Sequence, residues 1–206
     1  MNQGRQYNLE SCVVSLVQAM DAQQRGADRV ELCVRLETEG MTPDIELVAS
    51  LCDHLTIPIR VMIRATTDGY EADRQALLEM MREIDSLKHL PLDGFVFGVI
   101  KNNRVDREAM ITLLQQAYPY HVTFHKAIDT STHIADDIEW LNQFAQVDTI
   151  LTSGNAIKAI DGVRQIRDMK SLFKGHTMAA GKITAEVLPS IHEQLQLQWY
   201  HGRSIL

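Results

Sequence analysis

Two runs of the chain, Leu9-Glu10-Ser11-Cys12 and Arg29-Val30-Glu31-Leu32-Cys33, place an ionisable residue and a thiol two positions apart. A third run, Val122-Thr123-Phe124-His125, does the same with a hydroxyl and an imidazole. In a strand, alternate side chains share a face. Glu10 with Cys12, Glu31 with Cys33, and Thr123 with His125 therefore each line one face. Leu9, Val30, Leu32, Val122 and Phe124 line the other. Burying a carboxylate costs several kcal/mol unless it is paired. Repeating that cost on separate strands points to a site.

The residue types offer two kinds of chemistry. Cysteine thiolates are soft ligands that favour Cu(I) and Zn(II) over Mg or Ca. Carboxylates and imidazoles can move protons, and an arginine such as Arg64 can clamp an anion. Each has a plainer alternative. Free cysteine often packs as a small hydrophobe. Inward charges can also form a purely structural ion network. Cys52, beside Leu51 and Leu55 in an amphipathic run, reads as core.

Positioning these residues falls to an alternation of strands and helices. Strands are predicted over 7–12, 29–33, 59–64, 94–100, 120–125, 149–153, 176–180 and 197–201. Helices are predicted over 13–25, 42–54, 71–88, 106–118, 134–145, 156–172 and from just after Thr184. Thr42-Pro43 is read as a helix start, Asp106 as a cap, and Asn102-Asn103 as a turn. Strict alternation implies parallel pairing. Eight such strands can close into a (β/α) barrel, with its site at the C-terminal strand ends. The first turn after a strand, Ser11-Cys12-Val13-Val14-Ser15, lacks glycine, which argues against a dinucleotide fold and a nucleotide cofactor. In the barrel, Glu10, Glu31, Arg64, His125, Ser153 and His201 all fall near C-terminal strand ends, as do Cys12 and Cys33. Ser153-Gly154-Asn155 also precedes a predicted helix, whose N-terminus could hold an anion. The ordinary alternative is a helix cap.

Composition narrows the partners. The 206 residues suit one domain, and the net charge of −7 argues against nucleic acid. Met1 to Gln6 carry no apolar leader, and no apolar run approaches the length of a membrane helix. Three cysteines with no export signal read as reduced thiols in the cytoplasm. The last predicted strand ends five residues before Leu206, so an eighth helix is not expected. The outer face of the first and last strands, with Leu9 and Tyr200, is then expected to stand open. A homodimer or larger homo-oligomer is expected to cover it.

The run Gly26-Ala27-Asp28-Arg29-Val30-Glu31-Leu32-Cys33 resembles the second strand of the CutC family. Met41-Thr42-Pro43, Ile57-Pro58 with Ile63-Arg64, Val122 to Ala127 with Asp129, Leu151-Thr152-Ser153-Gly154 and Met178-Ala179 match in the same order. The resemblance spans about Leu9 to His201. It implies a TIM-type barrel, a cytoplasmic location and a role in copper handling, with Cys12 and Cys33 as metal candidates. A small polar or anionic metabolite, acted on by Glu, Arg and His at the barrel mouth, is the other reading. The loops depart from the family pattern. Thr38-Glu39-Gly40 has one glycine where two are usual. Arg64 is followed by Ala65-Thr66-Thr67-Asp68-Gly69 without a second arginine. Ala180-Gly181-Lys182 has one glycine fewer than usual, which weakens any phosphate loop there.

Overall fold

The computed structural model describes residues 5–206. Eight parallel strands close into a barrel: β1 (Asn8–Val13), β2 (Arg29–Leu32), β3 (Ile59–Met62), β4 (Gly94–Phe97), β7 (His121–Phe124), β8 (Val147–Thr152), β9 (His176–Ala179) and β10 (Trp199–Gly202). β10 returns to pair with β1, with Glu10 opposite His201. A two-stranded hairpin of β5 (Ile100–Lys101) and β6 (Arg104–Val105) leaves the barrel after β4. Asn102 and Asn103 turn it with φ of 52° and 55°, a backbone that asparagine tolerates. The hairpin interrupts what the sequence suggests is one strand over 94–100.

The helices are α1 (Leu16–Gln24), α2 (Ile45–His54), α3 (Arg74–Leu87), α4 (Arg107–Ala117), α5 (Ile134–Leu141), α6 (Val163–Leu172) and α7 (Leu188–Leu195). Four of them begin where a side chain accepts a bond from the first turn: Ser15, Asp44, Asp73 and Asp106. Thr42 is not the cap of α2. Its hydroxyl instead accepts from the Arg64 N–H at 2.8 Å and donates to Glu83 at 2.6 Å. The expected helix over 156–172 starts only at Val163. Gly162 packs so closely on the Ser153 carbonyl that an added Cβ would lie 2.1 Å from it. That contact holds the preceding residues in an irregular turn.

The strand faces divide as their alternation demands. Val30, Leu32, Val61, Phe95, Phe97, Val122, Phe124 and Ile150 pack outward under the helices. The inner face is polar at the bottom. Arg60, fully buried, donates to Asp93 at 2.7 Å, to both Asp148 oxygens at 2.6 and 2.8 Å, and to Thr123 at 2.6 Å. This network plugs the N-terminal end of the barrel. Above it, Leu151, Met178 and Ala180 pack with Trp199. The Arg29 guanidinium lies 4.1 Å over the Trp199 ring.

The seam between β1 and β10 is closed, against expectation. Leu9 and Tyr200 are buried in one cluster with Leu188, Ile191 and Leu195 of α7 and with Ile205. The Tyr200 hydroxyl lies 2.8 Å from His192 Nδ1 and accepts from the Leu197 N–H at 3.0 Å. The Tyr7 ring sits against both His192 and Tyr200. Helix α7 and the turn after β10 thus supply the cover that the sequence argument assigned to a second subunit.

Candidate functional site

Two carboxylates and two thiols meet inside the C-terminal half of the barrel. Register sets Glu10 beside Arg29 and Cys12 beside Glu31 across β1 and β2. Arg29 Nε donates to Glu10 Oε2, and His201 Nδ1 lies 2.8 Å from Glu10 Oε1. Both Glu10 oxygens are therefore satisfied. Burial pushes the Glu10 carboxyl up, but the Arg29 charge and then His201 outweigh it and hold it near 2. Glu10 is the ionised carboxylate of the site.

Glu31 sits in the opposite environment. It is 2% exposed, and its buried Oε2 has no hydrogen-bond partner. Burial pushes its carboxyl up to about 8; His201 opposes this while Cys12 and Glu10 add to it. Glu31 is therefore protonated near neutral pH. Burial pushes His201 down, but ionised Glu31, the Cys12 bond and Glu10 raise it well above its ordinary value; while Glu31 keeps its proton, Glu10 at 2.8 Å is the anion that holds the imidazolium. The pair that carries charge is thus His201 with Glu10.

The thiols of Cys12 and Cys33 lie 3.6 Å apart, both buried and not disulfide-bonded. The Cys33 bond and burial raise the Cys12 thiol well above the usual range. Gly40, with φ of 94°, arches over Cys33; a Cβ there would come within 3.3 Å of Cys33 Sγ. Met62 and Val96 complete the apolar side of the pair. Donor atoms of Cys12, Glu31 and Cys33 fall within 4.8 Å of one another, as do those of Glu10, Glu31 and His201.

The donor set fits a soft metal. With metal–sulfur bonds of about 2.3 Å, sulfurs at this spacing subtend about 100° at the metal. That is a bent pair, which leaves room for a third donor. Glu31, with an otherwise orphaned oxygen, is placed where it could supply one. Two thiols and a carboxylate in a buried pocket suit Cu(I) or Zn(II) far better than Mg or Ca.

The floor opens into a cavity of about 870 Å³ at the C-terminal mouth, which Cys12, Glu31, Cys33, His125, Ser153 and His201 all line. The structure thus brings six sequence candidates to one cavity and Glu10 just beneath them. Their roles within it differ. Ser153 donates its N–H and hydroxyl to Asp129, at 2.8 and 2.9 Å, so neither donor awaits an anion. It also precedes an irregular turn rather than a helix start. The His125 Nδ1 accepts from the Ala127 N–H at 3.3 Å. Burial, then Arg64, lowers its pKa to about 3, so the ring is neutral. Gly98 makes room for it; a Cβ there would stand 3.0 Å from that nitrogen.

Arg64 lies beside the cavity and does not line it. Its guanidinium donates to the carbonyls of Thr38, Gly40 and Gly69 and stacks 5.1 Å from the Tyr70 ring. It ties two loops together instead of presenting a clamp. Asp129, which the family resemblance includes, orders Ser153; Asp137 has no counterpart among the sequence candidates. Asp137 accepts from Arg104, the Val105 N–H and the Ser131 hydroxyl, joining the β5–β6 hairpin to α5. A single acidic residue early in a helix carries no periodic signal, so Asp137 does not stand out in the sequence.

A closed eight-stranded parallel barrel with a paired-thiol and carboxylate floor under its C-terminal mouth defines the class. The sequence profile of the CutC family matches residues 7–205, and the chain belongs to that family. It is 32% identical to the copper homeostasis protein cutC homolog of Caenorhabditis elegans, over 96% of this chain and 80% of that one. It is also 32% identical to a family protein CutC of Aliivibrio fischeri, over 94% and 80%. A solved CutC structure from Streptococcus agalactiae superposes with a TM-score of 0.91 at 24% identity, covering 97% of this chain and all of that one. A dihydrodipicolinate synthase from Bacillus anthracis shares the barrel alone, with a TM-score of 0.67 at 11% identity, over 96% and 70%. No helix among the described residues is long and apolar enough to cross a membrane.

Proposed function

We propose that this chain serves copper homeostasis by binding Cu(I) at Cys12 and Cys33, with Glu31 as third donor. The carrying observation is the 3.6 Å approach of two buried, reduced thiols on neighbouring strands. Family membership supports copper as the cargo. A site of this kind belongs in the reducing cytoplasm, where thiols stay free. Uptake must displace protons from the thiols and from Glu31. The Glu10–His201–Arg29 group beneath is bonded within itself and contributes no soft donor.

Anaerobic titration of reduced protein with Cu(I), against a competing chromogenic chelator, tests the reading. One equivalent is expected to bind. Cys12→Ser and Cys33→Ser should each lose the stoichiometric site, and Cys52→Ser should keep it. Unchanged binding in the double Cys12→Ser/Cys33→Ser variant would overturn the assignment.

A further inference from the structure

The cavity above the thiols is far larger than a metal ion needs. Its volume of about 870 Å³ lies within the range of about 300–1,000 Å³ that encloses small organic ligands. Its walls are partly apolar, from Leu36, Met62, Leu151, Ile157 and Ile183, with the Tyr70 ring beside them. Such a wall recognises a carbon skeleton, which an ion lacks.

The rim is basic although the protein is acidic overall. Lys126 follows β7, Lys182 follows β9 and Arg203 follows β10, and all three line the cavity. The bridge between Thr184 and Ser204 sets the Lys182 and Arg203 loops side by side. None of the three has an acidic partner at ion-pair distance among the described residues. Arg203 donates once, to the Leu36 carbonyl at 3.1 Å, and has further N–H groups to offer. Three acids share the lining: Glu31 lies on the floor beside the thiols, and Glu39 and Asp129 in the wall each accept neighbouring hydroxyls. Glu39 accepts the Tyr70 hydroxyl at 2.5 Å, and Asp129 accepts from Thr152 and Ser153. Lys182 also holds a left-handed backbone, φ 53°, a strained position for a residue with a side chain.

From these observations we infer that the cavity is a binding site for a small organic anion, its charged group held by Lys182 and Arg203 with Lys126 adding positive potential, and its carbon body on the apolar wall. Carboxylates and phosphate esters share this chemistry. The adjacent loops after the seventh and eighth barrel strands are also where barrels commonly hold anionic groups. The site lies above the thiols and stands without the copper reading.

Thermal unfolding and isothermal titration of the full chain, kept reduced and metal-free with a chelator, test the inference. The probes are citrate, glycerol 3-phosphate, inorganic phosphate and uncharged glycerol. Citrate or glycerol 3-phosphate should raise the melting temperature and bind saturably, and which one does so identifies the anionic group. The Lys182→Gln/Arg203→Gln variant should bind at least tenfold more weakly, with an unchanged circular dichroism spectrum. Because the protein is metal-free throughout, the result is independent of the fate of the copper site. No saturable binding of either organic anion, or binding by inorganic phosphate alone, overturns the inference. Organic-anion affinity that survives the double rim substitution overturns it as well.

Discussion

Glu10 and Glu31 face the same barrel interior from neighbouring strands, with donor atoms within 4.8 Å, yet they hold opposite protonation states. The difference lies in their partners. Arg29 and His201 satisfy both oxygens of Glu10, while the buried Oε2 of Glu31 has no partner. One carboxyl is built into the scaffold, and the other is left available to a ligand.

That contrast sets a pH dependence. The folded-state value of Glu31 is raised from 4.5 to about 8, so the native state retains a proton that the unfolded chain gives up. Its contribution to stability is full below about pH 4.5 and is lost as pH rises towards 8. Metal-free Glu31→Gln should escape this loss, by up to about 1.4 kcal/mol per pH unit. Urea unfolding at pH 5, 6.5 and 8 should show the variant gaining on the wild type as pH rises. A constant difference across that range would contradict the protonation assigned to Glu31.

Thiol chemistry should separate the cysteines. Cys12 and Cys33 are buried, and Cys12 is raised well above its usual value, whereas Cys52 is partly exposed. An aromatic disulfide reagent at pH 7 should modify Cys52 first and the pair only slowly. Unfolding should release all three. One equivalent of Cu(I) should slow modification of the pair further and leave Cys52 unaffected, as mass spectrometry of the labelled peptides can read.

The plug at the barrel bottom should be worth more than a surface pair. Arg60→Met leaves Asp93, Asp148 and Thr123 without their shared donor. Removing one partner of a buried pair costs about 3–5 kcal/mol. The two aspartates are about a quarter exposed, so a loss of about 2–3 kcal/mol is expected after solvent screening. Chemical denaturation measures it. Because Arg60 lies at the far end of the barrel, Cu(I) stoichiometry of the folded variant should not change.

How much of this was legible in the sequence depended on the kind of position. Strand parity alone placed Glu10, Cys12, Glu31 and Cys33 on the interior, because a period of two leaves no choice of face. Arg64 shows where parity stops. Its inward direction followed from the pattern, but it lies just past the strand end, where loop carbonyls capture its guanidinium. The start of α6 was hidden for a similar reason: the close packing of Gly162 on Ser153 is a tertiary contact. Lys126, Lys182 and Arg203 sit in loops with no periodicity, so only the closed barrel gathers them around one rim.

Arg64 carries the next prediction. Arg64→Gln should loosen the two loops it joins. Hydrogen exchange should rise in residues 36–41 and 66–70 while the barrel strands stay protected. Equal protection in wild type and variant would show that these loops are held by other contacts.

The hydrogen bond between His201 and Glu10 spans 191 positions of sequence. Such a contact has a consequence in time. A chain made from its N-terminus exposes Glu10, Cys12, Glu31 and Cys33 long before its final strand exists. During that interval Glu10 lacks His201, and the barrel gap beside β1 is unfilled. Until β10 arrives, an unfinished polypeptide has the thiols but not the closed barrel floor around them. Pausing translation just before Trp199 should yield a nascent chain whose cysteines react freely.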